Sequence, residues 1–120
     1  MLKIDLNDCA EFVAGDNTIL REVLHPDKQH VHLGYSLAHA ILRPGEVSLP
    51  HRLASSEVYY ILEGEGIMCI DEEEADVGPG HTIYIPPHSV QHIRNTGGID
   101  LKFLCIVDPA WRAADEEVIG

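Results

Sequence analysis

Positive charge is scarce in this chain: eight Lys and Arg residues stand against twenty Asp and Glu, for a formal net charge of −12. So acidic a surface repels phosphate backbones and anionic lipid headgroups, and neither nucleic acid nor a membrane is an expected partner. Cysteine is sparse too. Cys9, Cys69 and Cys105 are odd in number and form no CxxC pair, which argues against a disulfide framework or a zinc knuckle. They read as free thiols of a reducing compartment. With no basic, apolar leader in the first residues, the expected location is the cytoplasm. No apolar run approaches the roughly eighteen residues that a membrane-spanning helix needs. GxSxG, HExxH, P-loop and Rossmann glycine patterns are all absent. There is no internal repeat and no linker, and 120 residues suffice for one domain but not two, so residues 1–120 are expected to form a single domain.

What the chain does have is punctuation. Pro44-Gly45, Gly64 with Gly66, Gly78-Pro79-Gly80, Pro86-Pro87 and Gly97-Gly98 bound short runs rich in β-branched and aromatic residues. Val58–Leu62, Ile67–Ile70, Thr82–Ile85 and Leu101–Val107 read as strands, and so do Thr18–Leu24 and Tyr35–Leu42. This spacing predicts an all-β sandwich or barrel rather than a βαβ architecture. Glu63–Gly66 reads as a hairpin turn, with glycines available for positive φ. The acidic run Asp71–Asp76 reads as the solvated end of that hairpin. Asp108-Pro109 suits an N-cap and first helical position, which predicts a short C-terminal helix over 110–118.

Two segments carry more specific information. From Gly45 the chain runs Gly-Glu-Val-Ser-Leu-Pro-His-Arg-Leu-Ala-Ser-Ser-Glu to Glu57, then on to Gly64. From Gly80 it runs Gly-His-Thr-Ile-Tyr-Ile-Pro-Pro-His-Ser-Val-Gln-His-Ile-Arg-Asn to Asn95. Together these resemble the two motifs of the cupin superfamily, small single-domain proteins of the type-2 conserved barrel. Gly45, His51, Glu57 and Gly64 match the first motif, and Gly80, Pro86 and Asn95 match the second. The resemblance covers about residues 36–107. It implies a double-stranded β-helix, a jelly-roll-like barrel of some ten short strands that can hold one small ligand. It also implies a homodimer, with the N-terminal residues 1–35 as strands in the dimer contact.

The chain departs from the motifs at three positions. Leu53 replaces the second histidine of the first motif, His88 the glycine of the second, and Gln91 the histidine of the second. Alternation along Gln91–Arg94 puts Gln91 and Ile93 on one face and His92 with Arg94 on the other, so His92 is expected to point outward. The metal site that the resemblance implies is thereby thinned to His51 and Glu57, with Gln91 as a third ligand or a satisfied buried amide. A Cys69 ligand depends on the register of the strands around it. One divalent transition metal, Zn, Fe, Mn or Ni, is the expected cofactor of such a site.

Glu57 opens an apolar strand; buried without metal, its pKa would rise and it would act as general acid or base. Tyr59 shares its face, and His39 and His88 are further candidates to line the pocket. Three functions remain open. The first is a metal-dependent oxygenase or isomerase acting on a small organic molecule, the second a metal-free module that binds or senses such a ligand, and the third a metal-free enzyme using Glu57 or His51 as acid or base.

Overall fold

The structure, a computed structural model, describes residues 1–120. Eleven strands form two antiparallel sheets. They are β1 (Glu11–Val13), β2 (Ile19–Leu24), β3 (Ser36–Leu42), β4 (His51–Leu53), β5 (Ser56–Glu63) and β6 (Gly66–Ile70), followed by β7 (Glu73–Val77), β8 (Thr82–Ile85), β9 (Gln91–Asn95), β10 (Leu101–Asp108) and β11 (Glu116–Val118). The larger sheet has the order β1-β2-β3-β10-β5-β8 and the smaller β11-β4-β9-β6-β7. One cluster of eleven buried residues draws on both, from Ala40, Ile61 and Phe103 in the larger to Met68, Val77 and Ile93 in the smaller. The sheets therefore close face to face over a shared core, as in a jelly-roll barrel. No helix is long and apolar enough to cross a membrane.

Alternation sets which side chains enter the barrel. In β10, Leu101, Phe103, Cys105 and Val107 are buried while Lys102, Leu104 and Ile106 are not. Their partners follow: Phe103 opposes Ile61, Cys105 opposes Tyr59, and Val107 opposes Glu57. Glu57, Tyr59 and Ile61 thus share the inner face of β5.

The motif residues with the firmest spacing are structural. Gly64 has φ +87, and a Cβ there would sit 2.6 Å from the Asp100 carbonyl oxygen, so this turn admits no side chain. Asn95 is buried and ties the end of β3 to the loop between β9 and β10. Its Nδ2 donates to the Leu42 carbonyl at 2.9 Å and the Ile99 carbonyl at 2.8 Å, and its Oδ1 accepts from the Gly97 N–H at 2.9 Å.

Three expectations are corrected. Glu63–Gly66 is not a hairpin turn but a crossing, since β5 and β6 lie in different sheets. Acidic residues 73–76 are not a loop end; they form most of β7, paired with β6 and exposed. The C-terminal helix is absent. Residues 113–115 make one 3₁₀ turn, and β11 then pairs with β4, Val118 opposite His51 and Glu117 opposite Arg52. The Arg52–Glu117 ion pair, 2.8 Å, holds this strand at the sheet edge.

Candidate functional site

A cavity of about 170 Å³ lies between the sheets, walled by the hairpin of β1 and β2, the inner faces of β3, β5 and β10, β4, and the C-terminal segment. Twelve of its twenty lining residues are hydrophobic. Phe103, Tyr59, Leu53 and Val107 are buried and form its depth, while Phe12, Val13 and Trp111 are exposed at its rim. Tyr59 and Phe103 pack ring against ring, with centroids 4.6 Å apart. Trp111 is held at the rim by its Nε1, which donates to Glu116 at 2.7 Å, and by its N–H, which donates to Ser36 Oγ at 2.9 Å.

His51, Glu57 and Tyr59 all line this cavity. His51 is 4% exposed, and its Nδ1 lies 3.0 Å from the Leu49 carbonyl oxygen. A carbonyl only accepts, so Nδ1 carries the hydrogen and Nε2 of the neutral ring keeps its lone pair. Asp16 Oδ2 lies 3.9 Å from the same Nδ1. Asp16 is itself fixed by the hairpin turn: its Oδ1 accepts from the Thr18 N–H at 3.1 Å and the Thr18 hydroxyl at 2.7 Å.

Glu57 is 6% exposed and meets one partner, Gln91, whose Nε2 donates to its Oε1 at 2.9 Å. Burial pushes its pKa up to about 8; the Gln91 hydrogen bond opposes this, and the charges of Asp16 and Glu116 add to it. Burial also raises the Tyr59 hydroxyl and the Cys105 thiol well above their usual values, so both keep their protons and Cys105 is no nucleophile.

The remaining candidates are not in the cavity. Gln91 is buried behind Glu57 and is not a lining residue. Cys69 faces outward beside Glu74, because β6 is paired with β7 and β9 rather than with β5. His39 sits on the outer face of the larger sheet, opposite Arg21 and Leu104, where burial and the nearby Lys102 and Arg21 lower its pKa. His88 is exposed in a turn at φ 68, its N–H donating to the Leu53 carbonyl at 2.7 Å. His92 is half-buried on the opposite face of β9 from Gln91, Ile93 and Asn95.

This donor set does not fit a divalent transition metal. No three His, Cys, Asp or Glu side chains gather to hold one. Gln91 adds only a neutral amide, its Nε2 donating to Glu57 and its buried Oε1 without a partner, and Cys69 lies outside the barrel. Sequence reasoning missed Asp16, Glu22, Trp111 and Glu116, which complete the lining from segments outside the motifs. For Asp16 there was one signal: an Asp in Gly-Asp-Asn-Thr is a turn former, which places it at a hairpin tip.

A closed two-sheet β-barrel with a small internal cavity, entered between its N-terminal hairpin and its C-terminal segment, defines the class. Residues 38–107 match the model of the cupin domain, and the chain belongs to the cupin family. It is 38% identical, over 99% of its own length and 95% of the other chain, to an uncharacterized protein of Methanocaldococcus jannaschii. It is 28% identical to the glucose-6-phosphate isomerase of Thermococcus kodakarensis, over 77% of this chain and 47% of that one, so it spans about half of that enzyme's length. Among solved structures, the nucleoside dehydratase Pac13 superposes with a TM-score of 0.80 at 18% identity, covering 99% of this chain and 91% of the other.

Proposed function

We propose that this cupin binds a small organic molecule in its barrel and moves protons on it without a metal, as in an isomerisation or an elimination. The observation that carries this reading is the placement of Glu57: buried in an apolar cavity, held by a single amide, and sharing that cavity with the free Nε2 of His51. A carboxyl group that titrates near neutrality holds a proton it can both give and take back. In an isomerisation, Glu57 would give its proton to a ligand oxygen while His51 takes one from the neighbouring carbon. His51 would then return its proton to the former carbonyl carbon while Glu57 takes one from the hydroxyl of the second carbon, so the C=O moves by one carbon and both groups end as they began. The related isomerases and the dehydratase of the same fold support a proton-transfer class of this kind.

The test needs no substrate. Carboxyl ¹³C NMR of the chain purified without chelator should show Glu57 titrating near pH 8. Metal analysis of the same sample should show far less than one ion per chain. Titration near pH 4 to 5, or one ion per chain that disappears in His51→Ala, would overturn the reading. A metal-free module that only binds its ligand is the alternative; it shares the cavity but needs no titration near neutrality.

We also propose that two copies pair through the outer face of the larger sheet. Ile41, Val58, Leu104 and Ile106 point outward there and are half-buried, and Tyr60 and Tyr84 are exposed by 40% and 59%. The same face carries the Arg21–Glu11 and Lys102–Glu63 pairs, both signs of charge in an otherwise acidic chain, so two copies can match sign to sign across a two-fold axis. Buried His39 Nδ1 and Arg21 Nε on this face have no hydrogen-bond partner. Sedimentation should give twice the 13.3 kDa chain mass, and Ile106→Glu should give a single chain with an unchanged far-ultraviolet spectrum. A wild type that sediments as one chain at micromolar concentration removes the proposal.

A further inference from the structure

The cavity's charges are all of one sign. Asp16, Glu22 and Glu116 line it as carboxylates beside Glu57, which holds its proton at neutral pH, and no Lys or Arg does. None of the four pairs with a Lys or Arg anywhere in the chain. Glu57, more than nine-tenths buried, uses only Oε1 in a hydrogen bond, and its second oxygen is free in the cavity. Glu22 and Glu116 are half-buried nearer the exposed rim. Between these carboxylates stand the rings of Phe12, Trp111, Tyr59 and Phe103.

An anionic ligand has no counter-charge here. Desolvating a phosphate or carboxylate beside unpaired carboxylates, with only apolar walls as compensation, is costly. A cation meets the reverse: opposite charge on several sides and aromatic faces to lie against. The open volume, about 170 Å³, limits the apolar body to roughly one six-membered ring, since a cavity of about 150 Å³ suffices for benzene.

We infer that the pocket takes a small organic amine, a ring-sized apolar body carrying one positive charge, and rejects phosphates and carboxylates. This rests on the reading that the cavity is the ligand site. In the bound arrangement the ring fills the depth against Phe103 and Val107 while the ammonium sits towards Asp16, Glu22 and Glu116. The sugar phosphate implied by the name of the related isomerases is then a poor ligand for this chain, because its phosphate finds no cation in the lining.

Three probes of one shape and different charge separate the possibilities: benzylamine, benzyl alcohol and benzoate. Calorimetric titration of the full chain at neutral pH should rank them in that order, with the amine at least about tenfold tighter than the acid. In the double variant Glu22→Gln/Glu116→Gln, benzylamine should weaken several-fold while benzyl alcohol stays unchanged. Benzyl alcohol serves as the internal check that the variant keeps its cavity. Benzoate binding as tightly as benzylamine, or an amine affinity unmoved by the double variant, would overturn the inference. So would failure of all three to bind at about 10 mM, which lies beyond the weakest affinity such a site would show. The acid–base reading is decided separately by the Glu57 titration, so either can fail while the other stands.

Discussion

Between pH 4.5 and 8 the folded protein should lose stability as pH rises, and Glu57→Gln should remove much of that loss. The sign follows from the proton count. Glu57 has a folded pKa raised to about 8 from an ordinary value of 4.5. Below pH 4.5 both states carry the proton and the group contributes no pH dependence. Between 4.5 and 8 the folded state holds a proton that the unfolded state has released, so each pH unit costs about 1.4 kcal/mol. Across the window the sum is about 5 kcal/mol, as large as the whole stability of a marginal domain. Above pH 8 the loss is complete and levels off.

The amide variant keeps the shape and can still accept from Gln91, but it has no charge to bury. It should match wild type near pH 5 and exceed it by several kcal/mol at pH 8.5, read from urea midpoints across pH. The chain's net charge of −12 adds a general loss at high pH that both proteins share, so the difference between them isolates Glu57. Parallel curves for wild type and variant would mean that Glu57 titrates as an ordinary carboxylate, and the proposed proton transfer would lose its acid.

That Glu57 enters the barrel follows from its match to the first motif, and period-two alternation, which needs no partner strand, then puts Tyr59 on the same face. The same rule places Gln91, Ile93 and Asn95 inward on β9 and His92 outward. It fails wherever the face depends on which strand lies alongside. The side that Cys69 takes cannot be fixed from a hairpin with β5, since β6 pairs instead with β7 and β9 across the barrel. His39 stands between two alanines, which look the same on either face, so nothing local marks it as outward.

β11 is hidden for another reason. Glu116-Glu117-Val118 has weak strand propensity, and it is a strand because β4 offers an edge and Arg52 offers a charge. Much of the lining therefore comes from outside the legible motifs. Asp16 rides on a turn, Glu22 on a strand whose face is fixed by β3, and Trp111 and Glu116 on a segment whose Asp-Pro start suits a helix. Of the expected metal ligands, His51, Glu57 and Gln91 meet and Cys69 does not, for the same physical reason: ligand types can be counted along a chain, but their convergence is a property of register.

Phe103→Ala should be the most damaging single change at the cavity, and the one a ligand can partly reverse. Phe103 is fully buried, belongs to the core cluster, packs on Tyr59 and also lines the pocket. Truncating a buried Phe removes its transfer free energy and leaves a void, a loss of about 3–5 kcal/mol. The void opens directly into the existing cavity, so it becomes ligand space rather than a sealed hole. A ring-sized molecule such as benzene or benzylamine should then bind the variant and return about 2.7 kcal/mol at a hundred times its dissociation constant. Ile93→Ala is the matching control: it is equally buried in the core but does not line the pocket. It should be destabilised by a comparable amount, about 2–5 kcal/mol, and gain less from the same ligand. Thermal melts of the two variants with and without ligand decide it. Equal rescue of both would show that the ligand acts on the core at large, whereas rescue confined to Phe103→Ala would show that core and pocket are one continuous space.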